Sequence, residues 1–135
     1  MGAVPVPRVL ATEAALALIR TLAAQHGPLM FHQSGGCCDG SAPMCYPAGD
    51  FVVGDHDRCL GRVGGVPFYI SGPQFEVWQH TQLIVDVVPG RGGMFSLEGP
   101  TGSRFLTRSR VYTDEEWAVL ADARVPCGPD AAGAG

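Results

Sequence analysis

Glycine and proline interrupt this chain so often that short strands and turns are favoured over a bundle of long helices. The 135 residues include 19 glycines and 11 prolines. Both residue types favour turns and end helices and strands. The excess therefore predicts many turns and short strands. Hydrophobic residues make up 46 % of the chain, which is typical of a globular protein long enough to bury a core.

The apolar patterns predict an α+β fold, a mostly antiparallel sheet or sandwich with an N-terminal and a C-terminal helix. Thr12 is a suitable N-cap for a first helix over 13–25, and His26-Gly27-Pro28 would end it. A capping box formed by Thr113 and Glu116 predicts the last helix. Strands are predicted over 29–33, 51–53, 66–70, 83–88, 94–98 and 104–111, with a short helix over 73–80 that opens on a Ser71-x-x-Gln74 capping box.

The remaining segments are predicted to be loops and tails of one domain spanning 1–135. Pro43 and Pro47 favour a loop over 41–50, and residues 55–65 are rich in turn formers. Residues 1–11 and 126–135 are expected to be loose, because prolines oppose regular structure near the N-terminus and Pro126 ends the last helix.

Charge and hydropathy argue against two classes of partner. The formal net charge is −4, all nine basic residues are arginine, and no basic block exists, so nucleic-acid binding has no support. No apolar run approaches the roughly 18 residues that span a bilayer, and the N-terminus does not look like a secretion signal. We therefore expect a cytoplasmic protein, in which clustered thiols more often bind metal or carry out redox chemistry than form disulfides.

The run from His32 to Cys45 carries the main chemical signal. It gathers His32, Cys37, Cys38 and Cys45, with glycines on both sides of the adjacent cysteine pair. Thiolate and imidazole are preferred ligands of zinc, copper and iron, and glycine lets the backbone approach a bound atom closely. His80, at helical spacing from Glu76, is a further candidate. The predicted metal ligands are Cys37, Cys38, Cys45, His32 and His80, for a zinc, iron or copper ion in preference to an iron–sulfur cluster.

Other interpretations of these residues remain open. The cysteines would also suit a thiol-reactive or redox site, or could simply pack in the core. His56 and Cys59 lie close together beside Asp55 and Asp57, and Met44 would be either a core gap filler or a thioether ligand of copper. Three arginines of the last strand form either a solvated face, a set of ion pairs with acids such as Asp86, or a surface for an acidic partner. They are Arg104, Arg108 and Arg110.

The stretch from Phe31 to Arg110 resembles a bacterial family catalogued as domain of unknown function family 779. The resemblance rests on the run from His32 to Ser41, on Pro43-Met44-Cys45, and on the segments 95–98 and 104–110. Genes of this family often lie beside aldehyde dehydrogenase genes. The resemblance therefore implies an accessory role in alcohol or aldehyde oxidation, with an alcohol or aldehyde dehydrogenase as the partner.

A more distant similarity connects the chain with the A-type iron–sulfur carrier (HesB-like) family, which has an N-terminal helix, a strand and then a Gly-Gly-Cys turn. Gly35-Gly36-Cys37 matches that turn, so this similarity implies a HesB-like fold with Cys37 as a cluster ligand. The C-terminal Cys-Gly-Cys motif of that family is missing from this chain. A shared fold is accordingly a better expectation than a shared cluster.

Taken together, these patterns predict a metal-binding accessory protein, a carrier or maturation factor for an alcohol or aldehyde oxidoreductase. One alternative is a small metallo- or thiol-dependent enzyme acting on aldehydes or thiol adducts, so whether the chain is itself an enzyme stays open. The other is a protein-interaction module with structural cysteines. No nucleic acid or membrane partner is expected, and a homodimer is compatible with the sequence.

Overall fold

A computed structural model describes residues 7–33, 43–48, 53–90 and 101–120, with only the backbone of Val77 and Trp78. These residues form three helices and seven strands, which confirms the α+β class. In chain order they are β1 (Val9–Ala11), α1 (Glu13–His26), β2 (Leu29–Gln33), β3 (Met44–Pro47), β4 (Arg58–Val63), β5 (Val66–Ile70), α2 (Gly72–Trp78), β6 (Thr81–Pro89), β7 (Ser103–Val111) and α3 (Asp114–Leu120).

The described strands form two sheets. One has the order β1-β6-β7 and the other the order β3-β2-β5-β4. The pairs β2–β3, β4–β5 and β6–β7 are antiparallel, whereas β1–β6 and β2–β5 are parallel. Within the described ranges the sheets are thus mostly antiparallel, as the sequence predicts.

Three phenylalanines connect the two sheets at the centre of the core. Phe31 on β2 stacks on Phe68 of β5 with ring centroids 5.8 Å apart, and meets the ring of Phe105 on β7 edge-on at 4.9 Å. All three side chains are fully buried. Since Phe31 and Phe105 belong to different sheets, their contact fixes the sheets face to face, and offset or edge-on ring pairs are the favoured geometries.

Helix α1 closes this core from one side. Thr12 caps it as predicted, because its Oγ1 accepts the N–H of Ala15 at 3.2 Å. The same hydroxyl donates to Asp86 Oδ1 on β6 at 2.9 Å, which ties the start of the helix to the three-stranded sheet. Ile19 and Leu22 are buried against the core, and Gly27 ends the helix with a φ of 80°. A positive φ of this size is accessible to glycine at little cost.

Three strands occupy segments that the sequence predicted to be irregular. The predicted loop over 41–50 is wrong at β3. This strand lies at the edge of its sheet, where the missing N–H of Pro47 is tolerated. The turn-rich prediction over 55–65 is wrong at β4, where a register shift between Cys59 and Gly61 accommodates a glycine with a φ of 140°. The predicted loose tail over 1–11 is wrong at β1, which pairs in parallel with β6.

The two capping boxes behave differently. In α3, Thr113 Oγ1 accepts the N–H of Glu116 at 3.2 Å and Glu116 Oε1 accepts the N–H of Thr113 at 2.9 Å, as predicted. In α2, Ser71 occupies the N-cap position but its side chain makes no capping hydrogen bond, so that predicted box is wrong. Helix α2 nevertheless forms, with proline in its first turn.

Several sequence predictions lie outside the described residues. They concern the strand over 94–98, most of the strand over 51–53, the tail over 126–135 and Cys127. Among the helices of the described ranges, none has the length and apolar character needed to cross a bilayer.

Candidate functional site

The four-stranded sheet separates two sets of side chains on β2, because successive residues of a strand point to opposite faces. Phe31 points into the main core. Met30 and His32 point to the other side, which we call the outer face; Met30 packs there with Cys59 and Tyr69 in a second apolar cluster. His32 is only 3 % exposed, although it lies outside the main core.

The imidazole of His32 lies close to a carboxylate. Its Nε2 lies 3.1 Å from Oδ2 of Asp57, and the two side chains are 4 % and 14 % exposed. The same Oδ2 accepts the N–H of Gly54 at 2.8 Å, while the N–H of Asp57 donates to the carbonyl of Gly54 at 3.1 Å. This tight turn immediately before β4 therefore fixes the carboxylate against the imidazole.

The His32–Asp57 pair has a specific chemical consequence. A carboxylate beside one ring nitrogen of histidine helps to fix the orientation of the ring. Asp57 thus lies at the Nε2 side of the His32 ring. In the sequence, Asp57 stands out only as a neighbour of His56 and Cys59. Its partner lies on another strand, so local spacing carried no signal of the pair.

Four residues lie in one row across the outer face. Met44 is opposite His32 in the β2–β3 register, His32 is beside Tyr69 in the β2–β5 register, and Tyr69 is opposite Cys59 in the β4–β5 register. Side chains at paired positions of neighbouring strands share a face. The row therefore brings a thioether next to His32 and a thiol two strands away from it.

Cys59 has the properties of a buried thiol rather than an activated one. Its Sγ donates to the carbonyl of Gly61 at 3.7 Å. Burial raises the pKa of the Cys59 thiol, and the hydrogen bond to Gly61 opposes this only in part. A thiol with a raised pKa carries little thiolate at neutral pH and is a weak nucleophile.

Cys45 and His80, two of the predicted metal ligands, lie elsewhere. Cys45 is opposite Phe31, fully buried in the main core, so the sheet separates it from His32. His80 follows α2, which ends at Trp78, so the predicted pairing of Glu76 with His80 on one helical face is wrong. Its ring packs on Trp117 of α3 with centroids 4.6 Å apart.

Cys37 and Cys38 lie in the connection from β2 to β3, outside the described residues. Within the described residues, no three or more histidine, cysteine, aspartate or glutamate side chains are grouped so that they could hold a metal ion. Of the five predicted ligands, His32, Cys45 and His80 are described. His32 lies on the outer face near Asp57 and Met44, whereas Cys45 and His80 lie elsewhere.

Two of the three arginines predicted to share a face of β7 form ion pairs within the chain. Arg108 Nε lies 2.8 Å from Asp86 Oδ2, and this contact is the main reason that the pKa of Asp86 is lowered. Arg110 Nη2 lies 2.8 Å from Glu116 Oε2 and also donates to Gln82 Oε1 at 3.1 Å. The predicted ion pair with Asp86 is therefore confirmed for Arg108, whereas Arg110 pairs with Glu116, an acid that the sequence pattern did not suggest.

An open groove of about 580 Å³ lies at the opposite end of the four-stranded sheet. Ala23, Gly27, Leu29 and Val66 contribute to its mainly apolar lining. Arg62 is the charged residue of this lining, and its Nη1 donates to the carbonyl of Gly65 at 3.2 Å. The groove lacks the histidine, thiol and carboxylate groups of the outer face, so we do not take it as the candidate site.

The architecture is that of a small α+β protein with a buried histidine–carboxylate pair beside its cysteine-bearing connection. A protein-family comparison matches residues 18–111 to the Domain of unknown function (DUF779) model. The chain belongs to this family, which confirms the resemblance to domain of unknown function family 779. A comparison with curated proteins finds no significant match.

Proposed function

We propose that this protein is a metal-binding accessory protein that carries or inserts a metal ion for an alcohol or aldehyde oxidoreductase. The observation that supports the proposal most directly is the His32–Asp57 pair. It is a buried imidazole, anchored by a carboxylate at 3.1 Å, at the end of the strand from which the cysteine-bearing connection departs.

The pair has the chemistry of a metal-ligating histidine with its supporting carboxylate. Such histidines almost always donate their second ring N–H to a carboxylate, a backbone carbonyl or water. Asp57, whose Oδ2 lies 3.1 Å from Nε2, would be the supporting carboxylate, and His32 would be one ligand of the ion. Cys37 and Cys38 follow His32 by only five and six residues, so the same connection would supply thiolates. Our proposed ligand set is therefore His32, Cys37 and Cys38, with Cys45 assigned to the core.

Measuring the metal content tests whether the protein binds a metal ion. Protein purified anaerobically without an affinity metal is expected to contain stoichiometric zinc, iron or copper. A Cys37→Ser/Cys38→Ser double variant should lose the metal while keeping its circular dichroism spectrum. Asp57→Asn should lower metal affinity by roughly 10- to 100-fold, the usual effect of removing an outer partner of a ligand. A metal-free wild-type protein that also fails to bind added ions would refute the proposal.

The link to an oxidoreductase rests on the gene context implied by the family and needs its own test. The metal-loaded protein would be mixed with the metal-free form of a metal-dependent alcohol or aldehyde dehydrogenase. Faster activation than with the same concentration of free metal would support delivery. Equal rates with the loaded protein and with the Cys37→Ser/Cys38→Ser variant would refute it.

The same pair also favours a second function, a thiol-dependent enzyme acting on an aldehyde or a thiol adduct. An imidazole oriented by a carboxylate can take the proton from a nearby thiol and so activate it as a nucleophile. The raised pKa of Cys59 makes that residue a poor nucleophile, which leaves Cys37 or Cys38 for this role. Turnover that survives metal removal but is lost in Cys37→Ser would favour this function over metal delivery.

The ion pairs of Arg108 and Arg110 bear on the third alternative, an interaction module that uses an arginine face. Both guanidinium groups are already paired with carboxylates of the same chain. Charge reversal at Arg104, compared with charge reversal at Arg20 on α1, would show whether this face binds an acidic partner. Partner binding that survives Arg104→Glu would remove this alternative.

A further inference from the structure

The start of helix α2 is bonded to the strand that carries His32. The N–H of Ser71, the N-cap residue of α2, donates to the carbonyl of Gln33 at 3.2 Å. Gln33 is the last residue of β2 and directly follows His32. The helix is therefore anchored one residue away from the buried imidazole.

The next residue, Gly72, lies against the turn that carries Asp57. A Cβ atom built on Gly72 would lie 2.9 Å from the carbonyl oxygen of His56 and 3.5 Å from its Cβ. Real Cβ atoms essentially never come that close to another atom, and the atom in the way belongs to the backbone. Gly72 is not among the glycines with a positive φ. The close approach of helix and turn, and not the backbone conformation, therefore favours glycine at this position.

Phe75, one turn further along α2, contacts the residue on the other side of Asp57. The guanidinium carbon of Arg58 lies 5.3 Å from the centroid of the Phe75 ring, a distance at which a cation and an aromatic face attract each other. The guanidinium carbon of Arg8 lies 5.4 Å from the same centroid. Arg8 also donates to the carbonyl of Gln79 at the C-terminal end of α2, so the helix is held at both ends.

We propose that helix α2 positions the carboxylate of Asp57 against the imidazole of His32. Gly72 and Phe75 are the positioning residues, since they contact the residues directly before and after Asp57 in sequence. A close-packed interior transmits small displacements, so a shift of α2 changes the separation of the carboxylate and the imidazole. The meaning of this role for metal binding rests on the proposed function, whereas the positioning itself requires no metal.

Alanine substitutions at two glycines provide a matched test. Gly72→Ala adds a Cβ that must displace the carbonyl of His56. Gly54→Ala, in the turn itself, keeps the N–H that donates to Asp57 and adds a Cβ at an ordinary 3.6 Å from Oδ2 of that residue. Neither glycine has a positive φ, so alanine suits both backbone conformations. The readout is the NMR chemical shift of the ring nitrogens of His32 in metal-free protein at one fixed pH.

The ring signals of His32 respond to the position of the carboxylate, which an unrelated loss of stability does not change. We expect Gly72→Ala to move the Nε2 shift of His32 in the same direction as Asp57→Asn does. Phe75→Leu, which removes the aromatic ring and keeps an apolar side chain, should act in the same direction, and Gly54→Ala should stay near wild type. An unchanged His32 signal in folded Gly72→Ala, or an equal change in Gly54→Ala, would overturn the inference. If Gly72→Ala does not fold, an unchanged signal in Phe75→Leu overturns it.

Metal affinity separates this inference from the proposed function. Competition with a metal-binding dye should show that Gly72→Ala weakens the binding of Zn(II) or Cu(I) by roughly 10- to 100-fold, as expected for the loss of an outer partner of a ligand. Wild-type protein that binds no added ion, together with a shifted His32 signal in Gly72→Ala, would refute the proposed function and leave the positioning role intact. Metal binding by wild type with an unchanged His32 signal in Gly72→Ala would do the reverse.

Discussion

Asp57 Oδ2 lies 3.1 Å from Nε2 of His32, across the outer face of the four-stranded sheet. The two residues come from different parts of the fold, a turn before β4 and the body of β2. The contact therefore connects the conformation of that turn to the orientation of a buried imidazole. It is the described feature with the most specific chemical meaning.

The turn at Asp57 should contribute to stability independently of any metal. Asp57→Ala removes the acceptor for the Gly54 N–H and leaves His32 without its carboxylate. Loss of a part-buried hydrogen-bonded carboxylate should lower the free energy of unfolding by about 1–3 kcal/mol. Urea denaturation of metal-free protein would measure this, with the exposed neighbour Asp55→Ala as control. Equal effects of the two substitutions would contradict the structural role assigned to Asp57.

The capping box of α3 predicts a defined acid dependence. The guanidinium of Arg110 and the N–H of Thr113 lower the pKa of Glu116 from 4.5 to about 2. Because the pKa is lower in the folded state, Glu116 stabilises the fold fully above pH 4.5, and this contribution is lost as the pH falls towards 2. The Glu116→Gln variant should therefore have a lower free energy of unfolding than wild type at neutral pH. Between pH 4.5 and 2 its free energy of unfolding should fall less than that of wild type. Glu115→Gln serves as control, and parallel pH profiles for wild type and Glu116→Gln would contradict the prediction.

The contact between the sheets predicts a large core effect. Phe31→Ala should lower the free energy of unfolding by about 3–5 kcal/mol, the usual cost of removing a buried phenylalanine. A double-mutant cycle of Phe31→Leu with Phe105→Leu should give a coupling of about 0.5–1.5 kcal/mol, because their rings meet edge-on. Both quantities come from denaturant unfolding. Strictly additive single effects would mean that the two rings do not couple the sheets.

Thr12 should contribute more than an ordinary N-cap. Its hydroxyl accepts the N–H of Ala15 and donates to Asp86, so Thr12→Ala removes a cap and a hydrogen bond between α1 and β6. We expect a loss of about 1–2 kcal/mol from the cap alone. Thr12→Ser, which keeps the hydroxyl, should retain most of the wild-type stability by thermal and urea unfolding. A serine variant as unstable as the alanine variant would show that the methyl group of Thr12, and not its hydroxyl, matters.

Cys59 should resist modification in the folded protein. The raised pKa of its thiol reduces the thiolate fraction near neutral pH, and the residue is only 7 % exposed to solvent. Alkylation at pH 7.5 followed by peptide mass spectrometry should find Cys59 unmodified in native conditions and modified in denaturant. Rapid native alkylation of Cys59 would contradict its assignment as a buried packing thiol.

The elements that the sequence predicted correctly carry their signals locally. Thr12 and Gly27 mark the two ends of α1, and Thr113 with Glu116 marks the start of α3. The strands β2, β5, β6 and β7 contain apolar or β-branched runs that are visible without knowing their partners. Helix-capping residues and the spacing of apolar residues can be recognised from neighbouring positions alone.

The missed features depend on partners that are distant in sequence. β3 and β4 contain Pro47 and Gly61, which locally predict loops, but their backbone groups are satisfied by β2 and β5. Cys45 is close to His32 in sequence, yet strand alternation puts the two on opposite faces of the sheet. The approach of Asp57 to His32 likewise follows from strand order, which residue spacing does not encode.

The central claim is that the imidazole of His32, held by Asp57, binds a metal ion together with thiolates of the adjoining connection. The most direct test is the metal content and absorption spectrum of anaerobically purified wild-type protein beside the Cys37→Ser/Cys38→Ser variant. We predict stoichiometric metal with a thiolate-to-metal absorption band in the wild type, and neither in a variant that remains folded. Wild-type protein that holds no metal, and takes up none from anaerobic Cu(I), Zn(II) or Fe(II), would contradict the claim.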